Sequence, residues 1–194
     1  MATAPVRAAS AVAAAVVTAV ALAAGPTRAE PPPLRLAVEG HASAFSDQPD
    51  RSLLNVSFGG ALRFAYRREG PDAQLGGLLV LERNAWFGTE LDAGTFSGVW
   101  NVGAGVERVW ARGRLRSALT LGLSILNGDT PLHQRGTSGF FVDLRPVALR
   151  WPVHAHVAVE LTPLGLNLLA PALRHPTLLL TQYRTTLGVE VRLP

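Results

Sequence analysis

The chain has 194 residues, 48% of them hydrophobic and only 16% charged, with no cysteine. That charged fraction lies well below the roughly 25% of an ordinary water-soluble domain, and the lack of cysteine excludes disulfide frameworks, thiolate metal sites and thiol nucleophiles. All 18 basic residues are arginines scattered along the chain, and the net charge is only +4; with no basic stripe, nucleic acid is not an expected partner.

Arg7 opens a short basic segment, residues Ala8 to Ala24 are almost wholly small and apolar, Gly25-Pro26 breaks the run, and Thr27-Arg28-Ala29 places small residues at −3 and −1. Residues 1–29 are therefore expected to be a cleaved secretory signal peptide. The alternative is an uncleaved anchor, although an alanine-dominated run of about 17 residues sits at the lower limit of a helical span. Residues 30–33, with Pro31-Pro32-Pro33, read as a stiff leader, and residues 34–194 as one domain. Pro163, Pro171 and Pro176 interrupt the longest later apolar stretch. Any membrane embedding of that domain has to use strands.

The domain alternates with a period of two. Leu34, Leu36 and Val38 oppose Arg35, Glu39, His41 and Ser43. Leu54, Val56, Phe58, Leu62, Phe64 and Tyr66 alternate with Asn55, Ser57, Gly59, Ala61, Arg63 and Ala65. A helix would mix these two sets around its circumference; a strand separates them. Residues 74–86, with Glu82, alternate poorly. Trp100, Val102, Ala104, Val106 and Trp110 oppose Asn101, Gly103, Gly105 and Glu107. Leu115, Leu119, Leu121, Leu123 and Ile125 oppose Arg116, Ala118, Thr120 and Ser124. Phe140, Val142, Leu144 and Ala148 oppose Asp143 and Arg145; Val153, Ala155, Val157, Val159 and Leu161 oppose His154, His156 and Glu160; Tyr183, Leu187, Val189 and Val191 oppose Thr186, Gly188, Glu190 and Arg192. The pattern predicts eight antiparallel strands at 34–46, 52–67, 74–86, 96–110, 114–126, 139–150, 153–163 and 181–193.

Eight long alternating strands fit either a soluble calyx carrying an apolar ligand inside, or a membrane barrel with its apolar face outside. The small and oppositely charged residues of the second face suit the narrow interior of an eight-stranded barrel. Trp100 and Trp110 are ten residues apart; at roughly 3.3 Å each and a tilt near 40° they span about 25 Å, the height of a lipid-facing band with aromatics at each interface. Tyr66 and Tyr183 are expected at the same interfaces. The links alternate between tight (111–113, 151–152) and long (87–95, 127–138, 164–180), as short inner turns and outer loops would, with Arg67 to Ala73 one longer inner link and 47–51 one short outer loop. The expected fold class is all-β, an eight-stranded antiparallel up-and-down transmembrane barrel.

In this architecture the chain resembles the small eight-stranded outer-membrane β-barrel proteins of Gram-negative bacteria, over residues 34–193. The segment Tyr183 to Leu193, with its aromatic start and apolar alternation, looks like that family's assembly signal. The resemblance implies a monomer in the cell outer membrane, with outer-membrane lipid and the assembly machinery as partners and no cofactor.

The predicted lumen holds Arg35, Glu39, His41, Arg63, Glu82, Glu107, Arg116, Asp143, Arg145, His154, His156, Glu160, Glu190 and Arg192. Buried charges have to be paired, so a salt-bridge lattice plugging the barrel is expected rather than an open pore. Two histidines at i, i+2 with a carboxylate are also a possible zinc set, although the pattern alone is weak and no metal is expected. A membrane-embedded lipid-modifying hydrolase is the competing function. It would draw on Ser43, Ser57 or Ser124 with His41, His154 or His156 and Glu160. None of these lies in a recognisable motif. The sequence therefore favours a non-enzymatic barrel with a structural or interaction role, and leaves its external partner open.

Overall fold

The computed structural model describes residues 34–46, 55–68, 74–87, 98–127, 136–173 and 178–193. The expected signal peptide and leader lie outside the described residues. Eight strands follow in order: β1 (Leu34–Ser46), β2 (Asn55–Arg68), β3 (Gln74–Phe87), β4 (Gly98–Trp110), β5 (Leu115–Leu126), β6 (Ser138–His154), β7 (Val157–Ala172) and β8 (Leu178–Arg192). Each pairs antiparallel with its neighbour in sequence. β1 also pairs with β8, from Arg35 opposite Arg192 to Ser46 opposite Thr181, which closes the sheet into a barrel. Strands of 12 to 17 residues exceed the 9–11 or so that a tilted strand needs to cross a bilayer.

The barrel is inside-out relative to a soluble calyx. On β4, Val102 and Val106 are 44% and 63% exposed, whereas Asn101 and Glu107 are 0% and 2% exposed. On β2, Val56, Phe58, Leu62 and Phe64 face out, and Ser57, Arg63 and Arg67 are buried. The bulky apolar side chains thus coat the cylinder and the charges line its axis, which removes the carrier reading.

The poor alternation of β3 has a local cause. Leu79 and Leu81 face out, but Leu78 and Val80 face in and pack with Ala61, Ala65 and Ala118. Apolar residues on both faces erase the period.

Two strands switch faces midway. In β6 the inward set passes from Asp143 and Arg145 to Ala148, with a register shift between Leu144 and Val147 around Pro146. In β7 it passes from Glu160 and Thr162 to Gly165 and Asn167, with a shift between Thr162 and Gly165 around Pro163. Proline has no N–H for the ladder and settles at such bulges. Val147 pairs with Leu164, so the two bulges lie side by side. Ser117 Oγ donates to the Pro146 carbonyl at 2.6 Å, and Thr185 Oγ1 to that of Pro163 at 2.9 Å.

These bulges correct several expectations. Ala148, expected outside with Leu144, is buried inside. The β6–β7 turn lies at Ala155-His156, not at 151–152, and β7 starts at Val157 rather than 153. The segment 164–180 is not a loop through most of its length: it is strand to Ala172 and again from Leu178.

Candidate functional site: an ionic lattice in the lumen

The inward faces of all eight strands deliver charge to one axis. Six carboxylates (Glu39, Glu82, Glu107, Asp143, Glu160, Glu190) and six guanidinium groups (Arg35, Arg63, Arg67, Arg116, Arg145, Arg184) are buried. Arg63 on β2 is the hub. Its Nε donates to Glu39 at 2.9 Å, its Nη1 to Glu107 at 2.8 Å and its Nη2 to Glu160 at 2.5 Å, with Glu190 at 3.4 Å. Arg67, two inward positions further along β2, grips Glu107 and holds Glu190 with Nη1 at 2.8 Å and Nη2 at 2.5 Å. Arg116 lies 3.1 Å from Glu160 and 3.4 Å from Glu107.

Toward the loop end, Arg145 holds Asp143 at 2.8 Å and Glu39 at 2.6 Å. Arg184 holds Glu82 with Nη1 at 2.6 Å. Glu82 also accepts from Asn84 at 2.5 Å and Asn101 at 2.8 Å, and Ser124 Oγ donates to Asn101 at 2.8 Å. His41 Nε2 lies 2.7 Å from Asn84 Oδ1; an amide oxygen only accepts, so Nε2 carries the proton. The pairs Arg63–Glu160, Arg145–Glu39 and Arg184–Glu82 join strands that are not neighbours in the sheet, so they cross the lumen rather than run along its wall.

Desolvating each ion costs several kcal/mol, and only multiple charged hydrogen bonds offset it. Shared carboxylates supply them here: Glu190 alone faces Arg35, Arg67 and Arg150. A cross-section filled by paired side chains is a plug, and its chemistry is mutual neutralisation.

Of the residues expected in the lumen, Arg35, Glu39, His41, Arg63, Glu82, Glu107, Arg116, Asp143, Arg145, Glu160 and Glu190 are buried there, and Arg192 is half-buried near the strand ends. His154 and His156 are not in the lumen. Both are exposed at the β6–β7 turn, ring centroids 6.0 Å apart. The Pro146 bulge lengthens β6, so the hairpin carries them past the end of the lattice. Glu160 is held by Arg63 and Arg116, so the structure does not assemble His154, His156 and Glu160 into one site. Among the described residues, no three histidine or carboxylate side chains converge as a metal set.

Three lattice arginines escaped the sequence reading. Arg67, the last residue of the expected strand 52–67, shares the parity of Arg63, and Arg150 is swung inward by the bulge, where it reaches Glu190 at 2.9 Å. Arg184 shares the parity of Thr186 and Glu190, a signal that was present. On the outer wall, Arg83 lies over the Trp100 ring, 5.5 Å from its centroid. Trp110 and Tyr183 are exposed, and Tyr66 is half-buried.

A closed antiparallel eight-strand barrel, apolar outside and ionic inside, is the fold of the small outer-membrane barrels. Among solved structures, the chain is similar to Neisserial surface protein A, with a TM-score of 0.55 and 10% identity over 82% of this chain and 97% of that one. It is also similar to Ail, the attachment invasion locus protein of Yersinia pestis, with a TM-score of 0.51 and 11% identity over 84% of this chain and all (100%) of that one. No family model and no curated protein matches the sequence.

Proposed function

We propose that the protein is a monomeric integral barrel of the Gram-negative outer membrane, non-enzymatic and closed to ions, whose long loops serve a structural or interaction role at the cell surface. The observation that carries this reading is the inversion of polarity: Val102 and Val106 outside, Asn101 and Glu107 inside, repeated around a closed sheet. Hydrocarbon cannot hydrogen-bond a strand edge, and closure satisfies the backbone without water. The Trp100–Arg83 and Trp110 positions bracket the apolar part of β4 and suit the two headgroup regions. Outer-membrane lipid and the assembly machinery are the partners this implies. The likeness to an attachment protein supports an interaction role for the loops at the level of fold.

The test is in two parts. The expressed chain should sediment with outer membranes and show heat-modifiable gel mobility in detergent. In planar bilayers it should give no steady conductance. A protein found in the soluble periplasm overturns the membrane reading, and stable channels overturn the plug.

A further inference from the structure

Above the ionic lattice the lumen changes character twice. Nearest the loops, Val99, Leu126, Phe141, Leu169 and Leu180 pack together with at most 2% exposure. Phe141 pairs with Leu169, and Leu169 with Leu180, across β6, β7 and β8. This is an apolar lid at the loop end, separate from the inward cluster of Leu78 and Val80 with Ala61, Ala65 and Ala118.

One inward position below it, on β6, β7 and β8, an arc of polar residues begins and continues onto β1 and β2. Asp143 pairs with Asn167 and Asn167 with Gln182; Arg184 follows on β8 and pairs with Ser43, and Ser43 pairs with Ser57. The arc runs unbroken over β6, β7, β8, β1 and β2, and all six residues are at most 3% exposed. Every one of them has a buried polar atom without a hydrogen bond to the protein: Asn167 Oδ1, Gln182 Nε2, Arg184 Nε, Ser43 Oγ, Ser57 Oγ and Asp143 Oδ1, the last 3.8 Å from Arg184 Nη1. On the next rung, His41 pairs with Thr186, and His41 Nδ1 and Thr186 Oγ1 are likewise unpartnered. Since Nε2 of His41 donates to Asn84, its Nδ1 is an acceptor.

Buried polar atoms cost about 1–3 kcal/mol each when unsatisfied, and native proteins rarely tolerate even a few. The eight atoms named lie on two adjacent rungs and mix donors with acceptors, whereas Arg116 Nε and Glu160 Oε1, also without a hydrogen bond, sit against opposite charges in the ionic lattice. A charged ligand would need an excess of one sign, and Arg184 is already neutralised by Glu82. A ligand that both donates and accepts, and is small enough to reach every position, fits all of them.

We propose that this arc binds a chain of ordered water molecules, covered on β6, β7 and β8 by the apolar lid. There the lid separates the water from the loop side, and Asp143 and Arg184 tie it to the ionic lattice. The inference concerns only the lumen and stands apart from where the barrel resides.

The folded protein in detergent provides the test. Crystals diffracting well enough to resolve ordered solvent should show density within hydrogen-bond reach of Ser43 and Ser57 Oγ, Asn167 Oδ1 and Gln182 Nε2. Side chains that pair directly with one another, or an arc without solvent density, overturn the proposal. Independently, the double variant Ser43→Ala, Ser57→Ala, checked for folding by gel mobility, should melt lower by about 2–4 °C for each bridging bond lost. An unchanged or raised Tm overturns the proposal, because removing unpaired hydroxyls from a dry site is neutral or stabilising.

Discussion

Thr185 Oγ1 on the outer face of β8 donates a hydrogen bond of 2.9 Å to the carbonyl of Pro163, the residue at the β7 bulge. A bulge leaves a backbone group out of the ladder, and in the hydrocarbon that the proposed membrane placement puts around this face no solvent would replace the missing partner. Ser117 does the same for Pro146 at 2.6 Å. Thr185→Val keeps the shape and deletes the donor. It should lower stability by about 1–2 kcal/mol in urea unfolding within bilayers, with Thr185→Ser close to the parent. Equal stability of all three proteins would show that the bulge carbonyl needs no donor.

Arg63 makes the widest set of contacts, touching four carboxylates. Arg63→Met leaves those charges short of a partner and should cost about 3–5 kcal/mol. Adding Glu160→Gln should restore part of the loss. Arg114, exposed at the β4–β5 turn, serves as the comparison: Arg114→Met should change stability by less than about 0.5 kcal/mol. If the two single variants unfold alike, the lattice is not what holds the lumen.

Gly103 makes room for the lid. A Cβ there would fall 2.6 Å from Phe141 Cζ and 2.6 Å from the Leu121 carbonyl oxygen. Gly103→Ala should therefore destabilise by about 1–3 kcal/mol through overpacking. At Gly40 an added Cβ meets nothing within 4 Å, and Gly40→Ala should be neutral or stabilising because alanine loses less backbone entropy on folding. Thermal melts of the pair decide it; a lower Tm for Gly40→Ala than for Gly103→Ala would contradict the packing argument.

The β4–β5 turn carries strain that a designer can remove. Ala111 and Arg112 hold φ of 50° and 57°, ahead of Gly113 at 83°, and Gly113 N donates to the Trp110 carbonyl at 3.0 Å. Two left-handed central residues favour Asn-Gly. Ala111→Asn with Arg112→Gly should raise stability by about 1 kcal/mol, read as a slower unfolding rate or higher denaturant midpoint. A loss of stability would mean that the two side chains contribute more than the backbone strain costs.

Most of the barrel was legible because one face of each strand is apolar and the other polar. Trp100, Val102 and Val106 against Asn101 and Glu107 settle the orientation of β4 from letters alone. Legibility fails where both faces are apolar or where the period slips. Leu168 and Leu179 face outward while Leu169 and Leu180 build the lid, so 164–180 looked like an apolar loop instead of two strand ends. Pro146 falls inside the expected strand 139–150 and Pro163 at the expected end of 153–163, yet each marks a register shift within a longer strand. The slip at Pro146 hid Arg150, since parity counted from the start of a strand is wrong beyond its bulge; His154 and His156 were misplaced because the turn falls at Ala155-His156 and β7 starts only at Val157.

The seam between β1 and β8, fastened at its end by Leu193 N to the Leu34 carbonyl at 2.8 Å, joins segments at opposite ends of the domain. Its closure has to wait until nearly the whole domain has been synthesised, and every earlier stage exposes two raw hydrogen-bonding borders. Shortening the chain by the last dozen residues would therefore not trim the cylinder but leave a seven-stranded trough, prone to zip onto any other unfinished copy.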